Sequence, residues 1–337
     1  MRIIVYGLGA IGGAIAAQLS LSGHSVMGIA RGRQLEIVRA SGLTLFTPRA
    51  TRTARFAVYA DPGEISFGAH DVVLLTMKGP DTAGALLRLK AAGVSKQPIF
   101  CFQNGVANEA LALRFFENVY GATVMLPADY DTPGEVAAYF APLIGAFDIG
   151  RYPKGSDEAV ESLCRTLRAS GFIATPRDDV MGSKYRKLLM NLRNIIDVLL
   201  ADKKLQDKWY AEARAEAEAV LTAAGIVWDQ SEAPARDELA MGTIPGRTRI
   251  GSSTMQSIAR GTGALETDFL NGEIVWLGRL HGMATPVNAA FCKLSLELAS
   301  ARLQPKTAGD DIIVSTVGQI GKPAIDKPSG PKDTVDG

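Results

Sequence analysis

Between residues 184 and 196 the chain reads KYRKLLMNLRNII. Side chains advance about 100° per residue round a helix, which sets Asn191 about 40° to one side of Lys187 and Asn194 about 20° to the other. One face therefore carries an ammonium and two carboxamides, in a stretch otherwise built of leucine, methionine and isoleucine. If that face were core, an amine and two amides would be costly to bury without partners. If it were solvent, Leu188, Leu189 and Ile195 would sit badly. Two readings remain: a polar stripe bonded to a neighbouring domain, or a face turned into a cleft. In a cleft, a lysine can polarise a carbonyl group and pass it a proton. An apolar setting or a nearby cation would lower its pKa towards neutrality, and the asparagines could hold a substrate's oxygens. Other catalytic groups are sparse. His24, His70 and His281 are scattered, as are Cys101, Cys164 and Cys292, so no metal site, disulfide framework or Ser/His/Asp triad is legible.

A second constellation opens the chain. In MRIIVYGLGAIGG an apolar strand runs into Gly7, Gly9 and Gly12, spaced G-x-G-x-x-G, and a helix of small residues follows. The first glycine permits a tight turn, the second lets the backbone approach a pyrophosphate, and the third lets helix and strand pack closely. The loop Gly7, Leu8, Gly9, Ala10, Ile11 and Gly12 thus reads as a dinucleotide-binding turn, with the helix N-terminus offering free N–H groups to phosphate. After the second strand comes GIARGR, which has arginines where an NAD site usually carries a carboxylate. A guanidinium forks onto phosphate, so Arg31 and Arg33 point to NADP unless they belong to a solvated turn. Lys78 in TMKGPDT and Asn104 in FQNG each follow a buried strand, at the sheet edge where ligands bind in this architecture. Asn104 also has the simpler reading of a turn former.

The elements that must position these residues alternate. RIIVY, HSVMGIA, DVVLLTM and QPIFCF read as strands, the last two as apolar runs buried on both faces, with helical stretches between them. This predicts an α/β chain whose N-terminal Rossmann-type domain, residues 1–178, is a doubly wound parallel sheet. Residues 119–150, broken by proline and glycine, read as an antiparallel extension of that sheet. From 179 to 305 the texture is helical, predicting an all-helical C-terminal domain that includes a helix opened by Pro286 and one closed by Gly282. Residues 306–337 read as a disordered tail apart from IIVSTVGQI.

The ordered set of motifs resembles the ketopantoate reductase (2-dehydropantoate 2-reductase) family over about residues 1–300. GLGAIGG, Arg31, TMKGPDT and QNG fall where that family has its cofactor residues. RKLLMN resembles its Lys-x-x-x-Asn helix, and the block from SSTMQ to TPVN resembles its C-terminal segment. The resemblance implies a Rossmann domain followed by a helical one, with the site between them. It implies Lys187 as the catalytic proton donor to a 2-oxo group, and Asn191, Asn104 and Ser253 as substrate-binding residues. Arg31, Lys78 and Glu266 would lie on the NADP side, with Asn104 also near the nicotinamide. One position departs: eight residues after the lysine, where the family repeats its asparagine, stands Ile195, and the spare amide is Asn194. A different 2-oxo acid therefore stays open. Lys184 and Arg186 read either as solvated charges or as attractors of an anionic substrate.

The leading expectation is NADPH-dependent reduction of 2-dehydropantoate or a related 2-oxo acid. The rivals are another two-domain dehydrogenase and a catalytically silent NADP-binding protein. A formal net charge of +1 gives no electrostatic case for nucleic acid or a membrane surface. No apolar run approaches the roughly 20 residues of a membrane span. With no leader pattern in MRIIVY, a cytoplasmic location is expected. The sequence leaves open whether two copies form a homodimer.

Overall fold

The computed structural model describes residues 1–230, 239–249, 251, 253–259 and 266–321. Its largest sheet has eight strands in the order Ile173–Pro176, Ala146–Arg151, Val119–Met125, Ile99–Cys101, Asp71–Leu75, Arg2–Tyr6, Val26–Ile29 and Ala57–Tyr59. All neighbours run parallel except Val119–Met125 against Ala146–Arg151. Every residue of Asp71–Leu75 and Ile99–Cys101 is buried, as the unbroken apolar runs predict. Tyr6 pairs with both Ile29 and Leu75, so these central strands end level with one another. The turns that follow them, carrying Gly7, Arg31, Lys78 and Asn104, consequently share one edge.

The helix after the glycine turn, Ala10–Leu21, is buried through Gly12, Gly13, Ala14, Ile15, Ala16, Ala17 and Leu19. Its small side chains have a structural cause that the sequence alone does not show. A second, four-stranded sheet (Thr51–Ala54, Leu43–Phe46, Glu135–Ala138, Ala128–Asp129) covers the helix on its outer side. A Cβ on Gly13 would come within 2.7 Å of Val136, so helix and sheet meet with no room for a side chain between them. Part of the expected antiparallel extension thus leaves the main sheet. Val119–Met125 and Ala146–Arg151 form the predicted antiparallel pair, while Ala128–Asp129 and Glu135–Ala138 between them join the covering sheet.

Helices take over at Val180: Val180–Asn191, Arg193–Leu199, Lys203–Ala223, Ser253–Ala259, Asn271–Leu280, Pro286–Ala299 and Asp310–Ile320. The stretch expected as one long helix breaks at Leu192. Pro286 opens its helix as predicted, and Glu216 accepts from the free N–H groups of Val287 and Asn288 at 3.0 and 2.9 Å. Trp209 and Phe291 meet edge to face in the core of this half, 6.4 Å between centroids. One strand, Leu239–Met241, departs from the all-helical pattern and pairs with Phe140–Pro142 of the first half.

The segment excepted from the tail expected after residue 306, IIVSTVGQI, is ordered. Asp310–Ile320 is a helix packed on Pro286–Ala299, with Ile313 fully buried. Asp310 accepts from Trp209 Nε1 at 2.7 Å and from Lys208 Nζ at 2.9 Å. IIVSTVGQI belongs to an amphipathic helix whose apolar face covers the bundle. The rest of the expected tail, 322–337, lies outside the described residues.

Candidate active site

One cavity of about 870 Å³ runs along the sheet edge and is closed on its far side by the helical half. Gly7, Leu8, Gly9, Ala10 and Ile11 line it, as do Arg31, Lys78, Asn104, Lys187, Asn191, Asn194 and Glu266. Gly12 lies behind the wall. A Cβ there would fall 2.1 Å from the Gly7 carbonyl oxygen and 2.3 Å from Thr76 Oγ1. Gly7 has φ +107° and touches the Met77 backbone, so it too admits no side chain. At Gly9 a Cβ would meet nothing within 4 Å. Two glycines thus serve packing, and the middle one leaves open space. The helix it opens has no side-chain cap and no acidic residue in its first turn, so its N–H groups are left for an anion. An open glycine and uncapped donors fit a dinucleotide pyrophosphate, with the Arg31 guanidinium at the next strand end lining the same cavity.

Arg31 is 66% exposed and pairs with Asp81 at 3.3 Å. Such an exposed pair is weak, so the guanidinium can exchange its partner for a phosphate. Arg33 is not brought to the cavity; it pairs with Glu36 on the surface at 3.7 Å. Glu266 sits beside Lys78 and accepts from the Gly79 backbone; burial pushes its carboxyl upward against the pull of the lysine.

The lysine helix reaches the sheet because two strand glycines let it. A Cβ on Gly150 would overlap the Arg177 carbonyl oxygen at 2.1 Å, and one on Gly121 would press on Val180 at 3.2 Å. Asp179 caps the helix by accepting from Gly182 N at 3.0 Å. So docked, the helix brings Lys187 to the end of the strand Val119–Met125, where its Nζ donates to Met125 Sδ at 3.1 Å. A thioether is a weak acceptor, and among the described residues no carboxylate offsets the charge: burial, then the neighbouring Arg186, pulls the amine down to about 8. Asn191 is buried and donates to Asn104 Oδ1 at 3.4 Å, a long bond between the two halves. An amine held this way, between two amides, can supply a proton to a carbonyl oxygen and hold the groups beside it.

Asn194 lines the cavity from the helix beyond the break, while Ile195 is 1% exposed and packs in the helical core. Ser253 opens the helix Ser253–Ala259, but its side chain lies outside the described residues. Lys184 and Arg186 are neither solvated nor in the cavity. Lys184 is buried against Glu109, and Arg186 faces Asp148 at 3.8 Å. The stripe is thus both things at once: Lys187, Asn191 and Asn194 face the cleft, and Lys184 bonds the neighbouring domain.

Comparison with known proteins covers both halves of the chain. The family model described as Ketopantoate reductase PanE/ApbA matches residues 3–154, and its C-terminal counterpart matches 179–299. The chain belongs to the ketopantoate reductase family. It is an oxidoreductase acting on a CH–OH/C=O pair. It is 28% identical to the 2-dehydropantoate 2-reductase of Pyrococcus horikoshii, over 86% of this chain and 94% of that one. It is also 28% identical to that of Mesorhizobium japonicum, over 90% and 99%. The crystal structure of a ketopantoate reductase of this family from Ralstonia eutropha superposes with a TM-score of 0.74 at 27% identity, covering 90% of this chain and 99% of that one. A ternary structure of D-mandelate dehydrogenase with NADH and anilino(oxo)acetate shares the fold, with a TM-score of 0.72 at 23% identity, covering 90% and 98%.

Within this ketopantoate reductase fold, the cavity also holds residues that the sequence did not single out, Met125, Arg249 and Gln256 among them. Met125 ends an apolar strand on the same edge as Lys78 and Asn104, which was a usable signal. Arg249 stands exposed at the cavity wall just before the Ser-Ser pair. Gln256 lies three residues after Ser253 and donates to Ala128 O at 3.0 Å and Asp129 Oδ1 at 2.7 Å, tying that helix to the covering sheet. Nothing local in the sequence announces that contact. Among the described residues no group of three histidines, cysteines or acids is placed to hold a metal, and no helix is long and apolar enough to cross a membrane.

Proposed function

We propose that this protein reduces 2-dehydropantoate, or a closely related 2-oxo acid, with NADPH, and that Lys187 is the proton donor. The observation that carries this reading is an amine on the wall of the dinucleotide cavity whose hydrogen-bond partner among the described residues is a thioether. A half-buried ammonium so poorly satisfied gains more from a substrate oxygen than from its resting partner. A dinucleotide held by its pyrophosphate at the glycine loop would supply the hydride. Lys187 gives its proton to the 2-oxo oxygen as charge builds there, Asn191 and Asn104 fix the substrate between the two halves, and Arg249 offers a cation to its carboxylate. Lys78 and Glu266 order the Lys78–Gly79 turn beside the cofactor. Arg31 favours NADPH, because a fork of charged donors suits a 2′-phosphate and gains little from a ribose hydroxyl.

A substrate panel tests the proposal. NADPH oxidation with 2-dehydropantoate and other 2-oxo acids should show clear turnover with at least one of them. Asn194, standing one residue before the family position, favours a second reading in which the preferred 2-oxo acid is not 2-dehydropantoate; the ranking within the panel decides between the two. No turnover on any 2-oxo acid, with tight NADPH binding, would mean a silent nucleotide-binding protein.

Two further results are expected. Since the donor is the protonated amine with a pKa near 8, kcat for reduction should be level below about pH 8 and fall above it. A profile flat to pH 10 would remove Lys187 as the acid. Arg31→Leu should weaken NADPH binding about 10- to 100-fold, the worth of a charged hydrogen-bond pair. NADH affinity should change by less than about threefold, read by fluorescence titration; equal loss for both would place Arg31 away from the 2′-phosphate.

A further inference from the structure

The lysine helix carries a second amine that the reaction does not use. Lys184 lies one turn before Lys187, with its side chain 2% exposed, and forms an ion pair with Glu109, which is fully enclosed. The same ammonium donates to the Gln103 carbonyl oxygen at 3.1 Å. Glu109 belongs to the short helix Asn108–Leu113, just past the asparagine turn. The pair therefore joins the helical half to the peptide unit between Gln103 and Asn104.

Among the described residues, and apart from the long Asn191–Asn104 bond, the turn's other side-chain hydrogen bonds stay within its own half. Gln103 Nε2 donates to Thr82 Oγ1 at 2.9 Å, Thr82 Oγ1 to Asn108 Oδ1 at 2.8 Å, and Asn108 Nδ2 back to Asn104 O at 3.2 Å. Strand residue Gly121 makes room behind the pair, since a Cβ there would stand 3.3 Å from Glu109 Oε1 and 3.4 Å from Lys184 Cδ. Burying an ion pair is not in itself stabilising, because lost hydration offsets the attraction. Here Glu109 Oε2 and Gln103 Oε1 have no hydrogen-bond partner among the described residues, so the arrangement is poorly explained as a device for stability.

We infer that Lys184 and Glu109 are positioning residues, which hold the Gln103–Asn104 peptide against the lysine helix and so set the Asn104 amide in register with Asn191 and Lys187. The inference rests on the proposed reaction site. The long Asn191–Asn104 bond would not hold that register unaided, whereas an enclosed charge pair one turn away does.

The test is the double variant Lys184→Met/Glu109→Leu, which removes both charges and leaves neither unpaired. Single variants strand a buried charge and are expected to unfold at lower temperature. The double variant should melt within about 3 °C of the parent and bind NADPH within about twofold. Its kcat should fall about tenfold or more, KM for the 2-oxo acid should rise, and amide hydrogen exchange over residues 102–108 should be faster. A double variant that melts like the parent and keeps its kcat and exchange rates would show that the pair does not position the turn; failure to fold would show that its role is structural. If the parent itself is inert on every 2-oxo acid, the reading of the site fails, and the exchange comparison still decides the role of the pair.

Discussion

Lys187→Met is expected to lower turnover by about a thousandfold, within the 10²- to 10⁴-fold range of a positioned general acid, while raising the melting temperature. The two effects share a cause. Burial and Arg186 bring the amine from its ordinary 10.5 down to about 8, so the folded protein holds the charged form less comfortably than water does. The sign follows: the penalty is fully present below about pH 8 and disappears above the unfolded value. At pH 7 it is on the order of 3 kcal/mol. Methionine is neutral, of similar length, and would pack against the Met125 thioether. A gain of that size corresponds to several degrees in a chain of this length. NADPH affinity should stay within about threefold, since the amine stands on the wall opposite the glycine loop. A variant that melts lower and turns over normally would mean that the amine is structural.

The second large effect separates two glycines of one motif. Gly12→Ala forces a Cβ against the Gly7 carbonyl at 2.1 Å and Thr76 Oγ1 at 2.3 Å. Neither backbone nor a buried hydroxyl can yield cheaply, so a loss of about 2–4 kcal/mol and failure of cofactor binding are expected. Gly9 has φ −82° and ψ −156°, which alanine adopts readily, and open space around it. Gly9→Ala should therefore melt within about 1 °C of the parent yet bind NADPH at least tenfold more weakly, because the added methyl occupies space meant for phosphate. Calorimetry of both variants with and without NADPH reads the difference. Equal stability loss in both would show that the loop is built for packing alone.

The sequence made some of this legible and hid the rest for physical reasons. The glycine turn, Arg31, Lys78 and Asn104 could be found because each follows an apolar strand, and parallel strands deliver their C-terminal ends to one edge. Lys187 and Asn191 could be found because a polar face on an apolar helix is costly and asks for a cause. The covering sheet could not: its strands come from residues 43–54 and 128–138, and nothing local says that they meet over the first helix. The same non-local pairing hid Lys184, whose charge reads as solvent-facing until Glu109 is seen behind it. Asn194 and Ile195 show the limit from the other side. Spacing placed both near the lysine, and only packing shows that the isoleucine belongs to the core and the amide to the cavity.

The most direct measurement is a structure of the protein with NADP and a 2-hydroxy acid bound together, read at one distance. The account predicts Lys187 Nζ moved off Met125 Sδ and within hydrogen-bonding reach, about 3 Å, of the oxygen on carbon 2. An amine still resting on the thioether, with the hydroxy acid seated elsewhere in the cavity or held by another donor, would contradict it.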